Sequence, residues 1–322
     1  MPLALRGSLH YHGPIMMRIL ILILLPVVVR AQPLQERLDR VKVEQYAEAP
    51  GYSEGPTWRD GELFFCSGAL WRVDKNRKTT RFLELGPAGT FLKADGSILI
   101  CDNKTPALLE LTPAGTLNVL ADSFEGKKLA SLNDVTVDAR GNVYWTDPAN
   151  SSRENPVGKV FRLTPAGAIS VLADNLAFPN GLEVDPDGKY LYVIESQTAK
   201  VLRFDLPADD KPLGPATVFY ALGGSGGDGC VFDADGNLWV ADFSRPDKKQ
   251  GRITILSPKA ELQGYLNVPA KMVTNITFGG PKHDEVFMTT GTPNGVFHAA
   301  VDIKGFAGHP GKAMKVLRAL NQ

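Results

Sequence analysis

The sequence predicts an all-β fold, a six-bladed propeller with four antiparallel strands per blade, on three observations: a repeated phrase, its spacing, and the lack of sustained helical periodicity. In Gly226-Gly227-Asp228-Gly229-Cys230-Val231-Phe232-Asp233-Ala234-Asp235-Gly236-Asn237-Leu238-Trp239-Val240-Ala241-Asp242, a glycine-flanked acid leads into an apolar run, an Asp/Gly turn and a second β-rich run ending in an acid. The phrase returns from Leu132-Asn133-Asp134 to Asp147 and from Pro179-Asn180-Gly181 to Glu195, and more weakly from Glu54, Phe91 and Asn275. With Gly61, Gly96, Gly141, Gly188, Gly236 and Asp284 as turn anchors, the intervals are roughly 35 and then about 45 to 48 residues, the length of a four-stranded blade.

The outer hairpins repeat as well. Leu111-Thr112-Pro113-Ala114-Gly115 to Asp122 is nearly duplicated by Leu163-Thr164-Pro165-Ala166-Gly167 to Asp174. Residues 41–46 alternate, which suits a strand that either opens the first blade or closes the ring against the last. Residues 296–320 read as outer strands of the sixth blade. The expected organisation is one domain over residues 32–322.

Residues 1–31 differ from the rest: Met16-Met17-Arg18, an apolar run from Ile19 to Val29, then Arg30-Ala31. This is the pattern of a signal peptide cut after Ala31, with residues 1–15 as an over-extended gene start. The apolar run falls short of the ~20 residues that span a bilayer. The expectation is an exported, periplasmic or secreted, protein with no stable membrane span once mature, and a monomer.

Lys+Arg and Asp+Glu number 35 each, so the formal net charge is zero, and no basic stripe is present to follow a phosphate backbone; nucleic acid is not expected as a partner. Cys66, Cys101 and Cys230 each lie in a β-rich apolar run, as buried small residues do.

The first strand of each propeller blade lines the central channel. Counting back from the turn anchors places Glu54, a Pro87-Ala88-Gly89 stretch, Asn133, Asn180, Asp228 and Asn275 at one mouth. The second strands return there with Asp102, Asp147, Glu195 and Asp242. Two carboxylates and several amide oxygens, without histidine or thiolate, suit a hard divalent cation: Ca²⁺ first, Mg²⁺ or Mn²⁺ next, Zn²⁺ least.

The Glu54-Gly55-Pro56, Asn133-Asp134, Pro179-Asn180-Gly181 and Asp228-Gly229 phrases, in that order, resemble the gluconolactonase/senescence-marker-protein (regucalcin-like) family of six-bladed propellers. The resemblance covers roughly residues 50–300. It implies a divalent metal held by Glu54, Asn180 and Asp228, Asn133 near metal and substrate, and hydrolysis of a lactone; Asn275 is a further candidate. Sugar-lactone members carry an arginine two residues before the Asn of the Asn-Asp pair. Here that place is Ser131, and Val135 replaces a usual glycine, so a less hydroxylated lactone is expected, with Ser131 as a substrate contact. Asp228, among glycines and with no histidine at the mouth, is the expected proton acceptor. Two other readings belong to different classes: a non-catalytic exported calcium-binding propeller, and a strictosidine-synthase-like propeller acting without metal.

Overall fold

Five of the six turn anchors are glycines at φ of 68–86°, in the left-handed region where glycine alone costs nothing, and they fix the inner hairpins where the sequence places them. The computed structural model describes residues 33–207, 211, 213–243, 250–309 and 312–320; the signal-peptide reading of residues 1–31 lies outside them. Blade 1 runs Glu54–Arg59, Glu62–Cys66, Leu70–Val73 and Thr79–Leu83. Blade 2 runs Pro87–Leu92, Ile98–Asp102, Ala107–Leu111 and Leu117–Ala121, and blade 3 runs Val135–Val137, Val143–Asp147, Gly158–Leu163 and Ile169–Leu176. Blade 4 comprises Pro179–Val184, Tyr190–Glu195, Lys200–Asp205 and Thr217–Ala221; blade 5, Gly227–Phe232, Leu238–Asp242, Arg252–Leu256 and Leu262–Asn267. Blade 6 contributes Val273–Gly279, Glu285–Gly291 and Asn294–Ala300.

Its fourth strand comes from the other end of the chain. Glu44–Glu48 pairs antiparallel with Asn294–Ala300, so the alternating N-terminal stretch closes the ring against the last blade. The expectation that residues 296–320 supply blade 6's outer strands is corrected accordingly. Only Asn294–Ala300 belongs to that blade, while Arg318–Leu320 adds a fifth strand to blade 2, pairing with Leu117–Ala121. Between them the chain straps the lower face. Gly305 bridges Asp233 of blade 5, His309 Nε2 lies 2.9 Å from the Asp185 carbonyl of blade 4, and Lys315 N–H donates to Pro165 O of blade 3 at 3.0 Å. Non-periodic contacts of this kind, each with a backbone partner, leave no sequence pattern.

The repeated Asp-x-x-Gly-Asn-x-aromatic phrase has a direct physical purpose. Asp138 Oδ1 accepts the Arg140 and Asn142 N–H groups, both at 2.9 Å, while Oδ2 accepts Asn142 Nδ2 and the Tyr144 hydroxyl, both at 2.8 Å. Asp233 does the same in blade 5 with Asp235, Asn237 and Trp239 Nε1. One carboxylate thus closes the turn and anchors the aromatic of the second strand in the interblade core. A separate apolar cluster fills each of the six interfaces between neighbouring blades. Trp145 stacks on Phe161 at 5.1 Å between blades 2 and 3, and Trp239 meets Phe278 edge-on at 5.2 Å between blades 5 and 6. Cys66, Cys101 and Cys230 are free thiols buried in these cores. Among the described residues no helix is long and apolar enough to cross a membrane.

Candidate active site at the channel mouth

The inner strands approach so closely that side chains are excluded at some positions. A Cβ on Gly181 would stand 2.3 Å from the Asp228 carbonyl, and one on Gly229 would stand 2.0 Å from Asn275 Oδ1. Both glycines directly follow a site position, so Asn180 and Asp228 are drawn to the axis by what their neighbours lack.

Glu54 is held by the residue before it. Ser53 is fully buried. Its Oγ lies 2.9 and 2.7 Å from the Thr290 and Gly295 carbonyls and accepts the Thr290 N–H, and its carbonyl accepts the Thr274 hydroxyl at 2.6 Å. The segment Tyr52–Glu54 is therefore clamped to blade 6. From this clamp the Tyr52 hydroxyl reaches both acids, 3.3 Å from Glu54 Oε1 and 3.4 Å from Asp228 Oδ2, which brings Glu54 and Asp228 to one point. Asn180 joins them through Ser196: Asn180 Nδ2 donates to Ser196 Oγ at 3.1 Å, and Ser196 donates to the Gly227 carbonyl at 2.6 Å. The nitrogen is committed, so Oδ1 is the atom Asn180 can offer a cation. Asn133, half-buried, is tied through its backbone, its carbonyl accepting the Gly89 N–H at 2.6 Å.

Asn275 behaves differently. Its Oδ1 accepts the Ile276 N–H at 2.8 Å, its Nδ2 donates to Asp134 Oδ2 at 3.2 Å, and its side chain also hydrogen-bonds Glu54, so it links the mouth to Asp134 deeper in the channel. Below lies Glu183, accepting from the Thr136 hydroxyl and from Val184 N–H at 3.1 Å. Tyr52, Ser196, Asp134 and Glu183 are not among the site residues read from sequence. Asp134 stands in the Asn-Asp phrase itself, whereas Tyr52 is marked only by its register two places before Glu54. A cavity of about 100 Å³ extends the channel downward past Asp134 and Glu183 to the strap at Phe306–Gly308 and to His283.

The rim acids serve the loops. Asp102 accepts the Gly86 and Thr105 N–H groups, Asp147 those of Ala149 and Ser131, and Glu195 that of Ala177 along with the Thr198 hydroxyl. Asp242 pairs with Arg252 Nε at 2.8 Å. Ser131, half-buried, is thus positioned by its own backbone N–H. Gly223-Gly224-Ser225-Gly226-Gly227 has the Gly-x-Ser-x-Gly spacing of a nucleophile elbow, but it runs as a loop straight into the strand Gly227–Phe232, without the strand-turn-helix such an elbow needs.

Electrostatics then decide what the mouth accepts. Burial, followed by the charge of Asp134, lifts the Glu54 carboxyl above its usual range, and burial with the neighbouring Glu54 charge lifts Asp228 well above it. Burial likewise raises Asp134 to about 6 and Glu183 to about 8. Among the described residues, no lysine, arginine or histidine forms an ion pair with any of the four. Uncompensated buried carboxylates are costly, and a divalent cation is what would balance Glu54 and Asp228. Among the described residues no three His, Cys, Asp or Glu side chains converge as a metal cluster, so a cation held here would need amide oxygens beside the carboxylates. Glu54, Asp228 and Asn180 Oδ1 supply hard oxygen donors of that kind.

A six-bladed propeller whose channel mouth gathers amides and carboxylates that have no basic partner is one class of protein, and the comparisons narrow it. Residues 52–292 match the SMP-30/gluconolactonase/LRE-like region, and the chain belongs to that family. A gluconolactonase of Zymomonas mobilis is 28% identical over 287 residues, 76% of this chain and 79% of that one. Lactonase drp35 of Staphylococcus epidermidis is 27% identical over 237 residues, 66% of this chain and 68% of its own. Among solved structures, the fold matches a gluconolactonase of Xanthomonas campestris with a TM-score of 0.71 at 23% identity, covering 82% of this chain and 91% of that one.

Proposed function

We propose that this protein is a metal-dependent lactonase, hydrolysing a cyclic carboxylic ester at the channel mouth. The observation that supports it most is the meeting of Glu54 and Asp228 at the Tyr52 hydroxyl with no basic side chain paired to either, in a chain of a family whose relatives include a gluconolactonase and a lactonase. Glu54, Asn180 and Asp228 would hold the ion, Ca²⁺ before Mg²⁺ or Mn²⁺, and the chemistry supplied by a bound divalent cation is polarisation of the ester carbonyl. The chain's own groups do the rest. Asn133 and Ser131 bind the ring from blade 3, the closely packed inner strands keep bulk water out, and Asp228 Oδ2, reached by the Tyr52 hydroxyl, takes the proton of the attacking water. The opened product carries its own carboxylate and is repelled by the acids beneath it.

The test is a panel of γ- and δ-lactones assayed with added calcium and then with chelator. Calcium-dependent turnover that the chelator abolishes is expected. Calcium binding without turnover of any lactone would leave the non-catalytic calcium-binding reading instead. Export through residues 1–31 belongs to the same proposal, and the N-terminal sequence of protein recovered from the periplasm or medium, expected to begin at Gln32, checks it.

A further inference from the structure

The donor atoms of the mouth are polar, but the residues standing just outside them are not. Two places before Glu54 is Tyr52, two before Asn180 is Phe178, and two before Asp228 is Gly226, over which the Phe243 ring lies 3.5 Å from where a Cβ would be. Met272 stands at the entry of the blade 6 inner strand Val273–Gly279. Tyr52 is 46% exposed and Met272 38%, a large exposure for apolar side chains beside a buried charged site.

Their placement is built into the backbone. Gly291 lies between Tyr52 and Met272: a Cβ there would stand 2.8 Å from the Tyr52 ring and 3.3 Å from Met272 Cβ, so the glycine makes room for the ring beside blade 6. Phe178 holds a φ of 60°, a left-handed conformation that bulky residues rarely adopt and that the following Pro179 disfavours further. It is kept there because its N–H donates to Ser151 Oγ at 2.8 Å and its carbonyl accepts the Ser196 N–H at 3.0 Å. Ser196 is the residue that orients Asn180, so the Phe178 backbone and the Asn180 donor are set by one side chain and its N–H. In the equivalent place of blade 3, Ser131 contributes a hydroxyl. Among the described residues, this register presents no charged side chain.

We propose that Tyr52, Phe178, Phe243 and Met272 form an apolar collar that selects a lactone bearing an alkyl or aryl substituent, with the ester ring on the polar donors and the substituent against the collar. The inference rests on the lactonase reading and names its substrate class. A polyhydroxylated ring would have to leave most of its hydroxyl groups facing aromatic rings and methionine, with only the Ser131 hydroxyl and the Tyr52 hydroxyl, which already faces Glu54 and Asp228, as partners in this register. An alkyl chain would instead be taken out of water there.

The test compares three δ-lactones of one ring size: δ-valerolactone, δ-decalactone and glucono-δ-lactone. Since each buried methylene is worth roughly a three- to fourfold change in an equilibrium, δ-decalactone is expected to exceed δ-valerolactone in kcat/KM by about tenfold or more, mostly through KM, and to exceed gluconolactone by at least as much. Tyr52→Ala and Met272→Ala should each cut the ratio of δ-decalactone to δ-valerolactone by about threefold or more, whereas Tyr52→Phe, which keeps the ring, should preserve it. A second arm measures, by titration calorimetry, binding of a δ-lactam bearing a pentyl chain against the unsubstituted δ-lactam, neither of which needs to be hydrolysed. Preference for the pentyl lactam that Tyr52→Ala removes supports the collar even if no lactone turns over, in which case the lactonase reading falls alone. Turnover without preference for the substituted ring, a preference for gluconolactone, or ratios unmoved by Tyr52→Ala and Met272→Ala would each overturn the collar.

Discussion

Glu54 and Asp228 meet at a single hydroxyl, and the two residues can be separated experimentally because they are asked to do different things. Glu54→Gln keeps an oxygen in place and removes a formal charge, so calcium affinity measured by titration calorimetry should fall about tenfold or more while the fold stays intact. Unchanged affinity would remove Glu54 from the ligand set. Asp228→Asn likewise keeps an oxygen but deletes the basicity. At saturating calcium, kcat is expected to drop by about 10²- to 10⁴-fold, the usual cost of removing a general base. A loss within about threefold would assign the proton to another group. The rim acids Asp102, Asp147, Glu195 and Asp242 are poor alternatives, because each already accepts hydrogen bonds from loop N–H groups or from Arg252. Asp134 is the nearer substitute: it is buried in the channel and orients with Asn275.

At the scale of the element, the inner hairpins carry their instructions in full, which is why they could be read from sequence. The turn glycine, the Asp that collects two N–H groups and the aromatic two positions beyond Asn are all local, so the phrase specifies its own geometry. The Asp138 turn offers a test with a defined pH dependence. The Asn142, Tyr144 and Arg140 hydrogen bonds and charge outweigh burial and hold the Asp138 carboxyl below its ordinary value. A carboxyl depressed in the folded state contributes stability that is complete above its ordinary pKa of about 4 and is lost as pH falls through the lower folded value. Asp138→Asn should therefore lower stability in denaturant unfolding by roughly 2 to 4 kcal/mol at pH 7, since four acceptor contacts are weakened or lost. The gap to wild type should narrow below pH 4 and not above it. An equal loss at all pH values would mean that shape, not charge, holds the turn. What the sequence left unreadable at this scale has a common cause. Asn275 sits one place out of register with Glu54, Asn180 and Asp228, and its side chain reaches both Glu54 and Asp134, a double role that its residue type alone does not announce. Tyr52 looks like any loop tyrosine until Ser53 is seen clamping it to blade 6.

For the whole molecule, the ring is closed twice, and the two closures differ in kind. At the outer edge, Glu44–Glu48 completes blade 6 by pairing along Asn294–Ala300, and Arg77 lies over the Tyr46 ring at 4.5 Å to link this strand to blade 1. Across the lower face, the C-terminal segment touches blades 5, 4, 3 and 2 in turn and buries Met314 before adding Arg318–Leu320 to blade 2. The C-terminal strap lies away from the channel mouth, whereas the N-terminal strand pairs with Gly295, whose carbonyl holds Ser53 beside Glu54, so the strap alone should govern stability and leave Glu54, Asn180 and Asp228 in place. Ending the chain after His309 would remove the burial of Met314 and part of that of Leu320, together with the last strand. At about 1.5 to 3 kcal/mol for each fully buried apolar side chain, a loss of roughly 2 to 5 kcal/mol is expected. That corresponds to a fall in Tm of about 3 to 8 °C for a domain of this size. Calcium affinity at a temperature well below the transition should stay within about twofold of the full chain, because the strap and the donor set lie at opposite ends of the channel. Removing residues 33–48 should be more severe, since it exposes the whole edge of Asn294–Ala300 and opens the ring. The comparison is made by thermal unfolding of both truncations beside the full chain. If the C-terminal truncation proves the more damaging, the strap, and not the shared blade, is what holds the propeller closed.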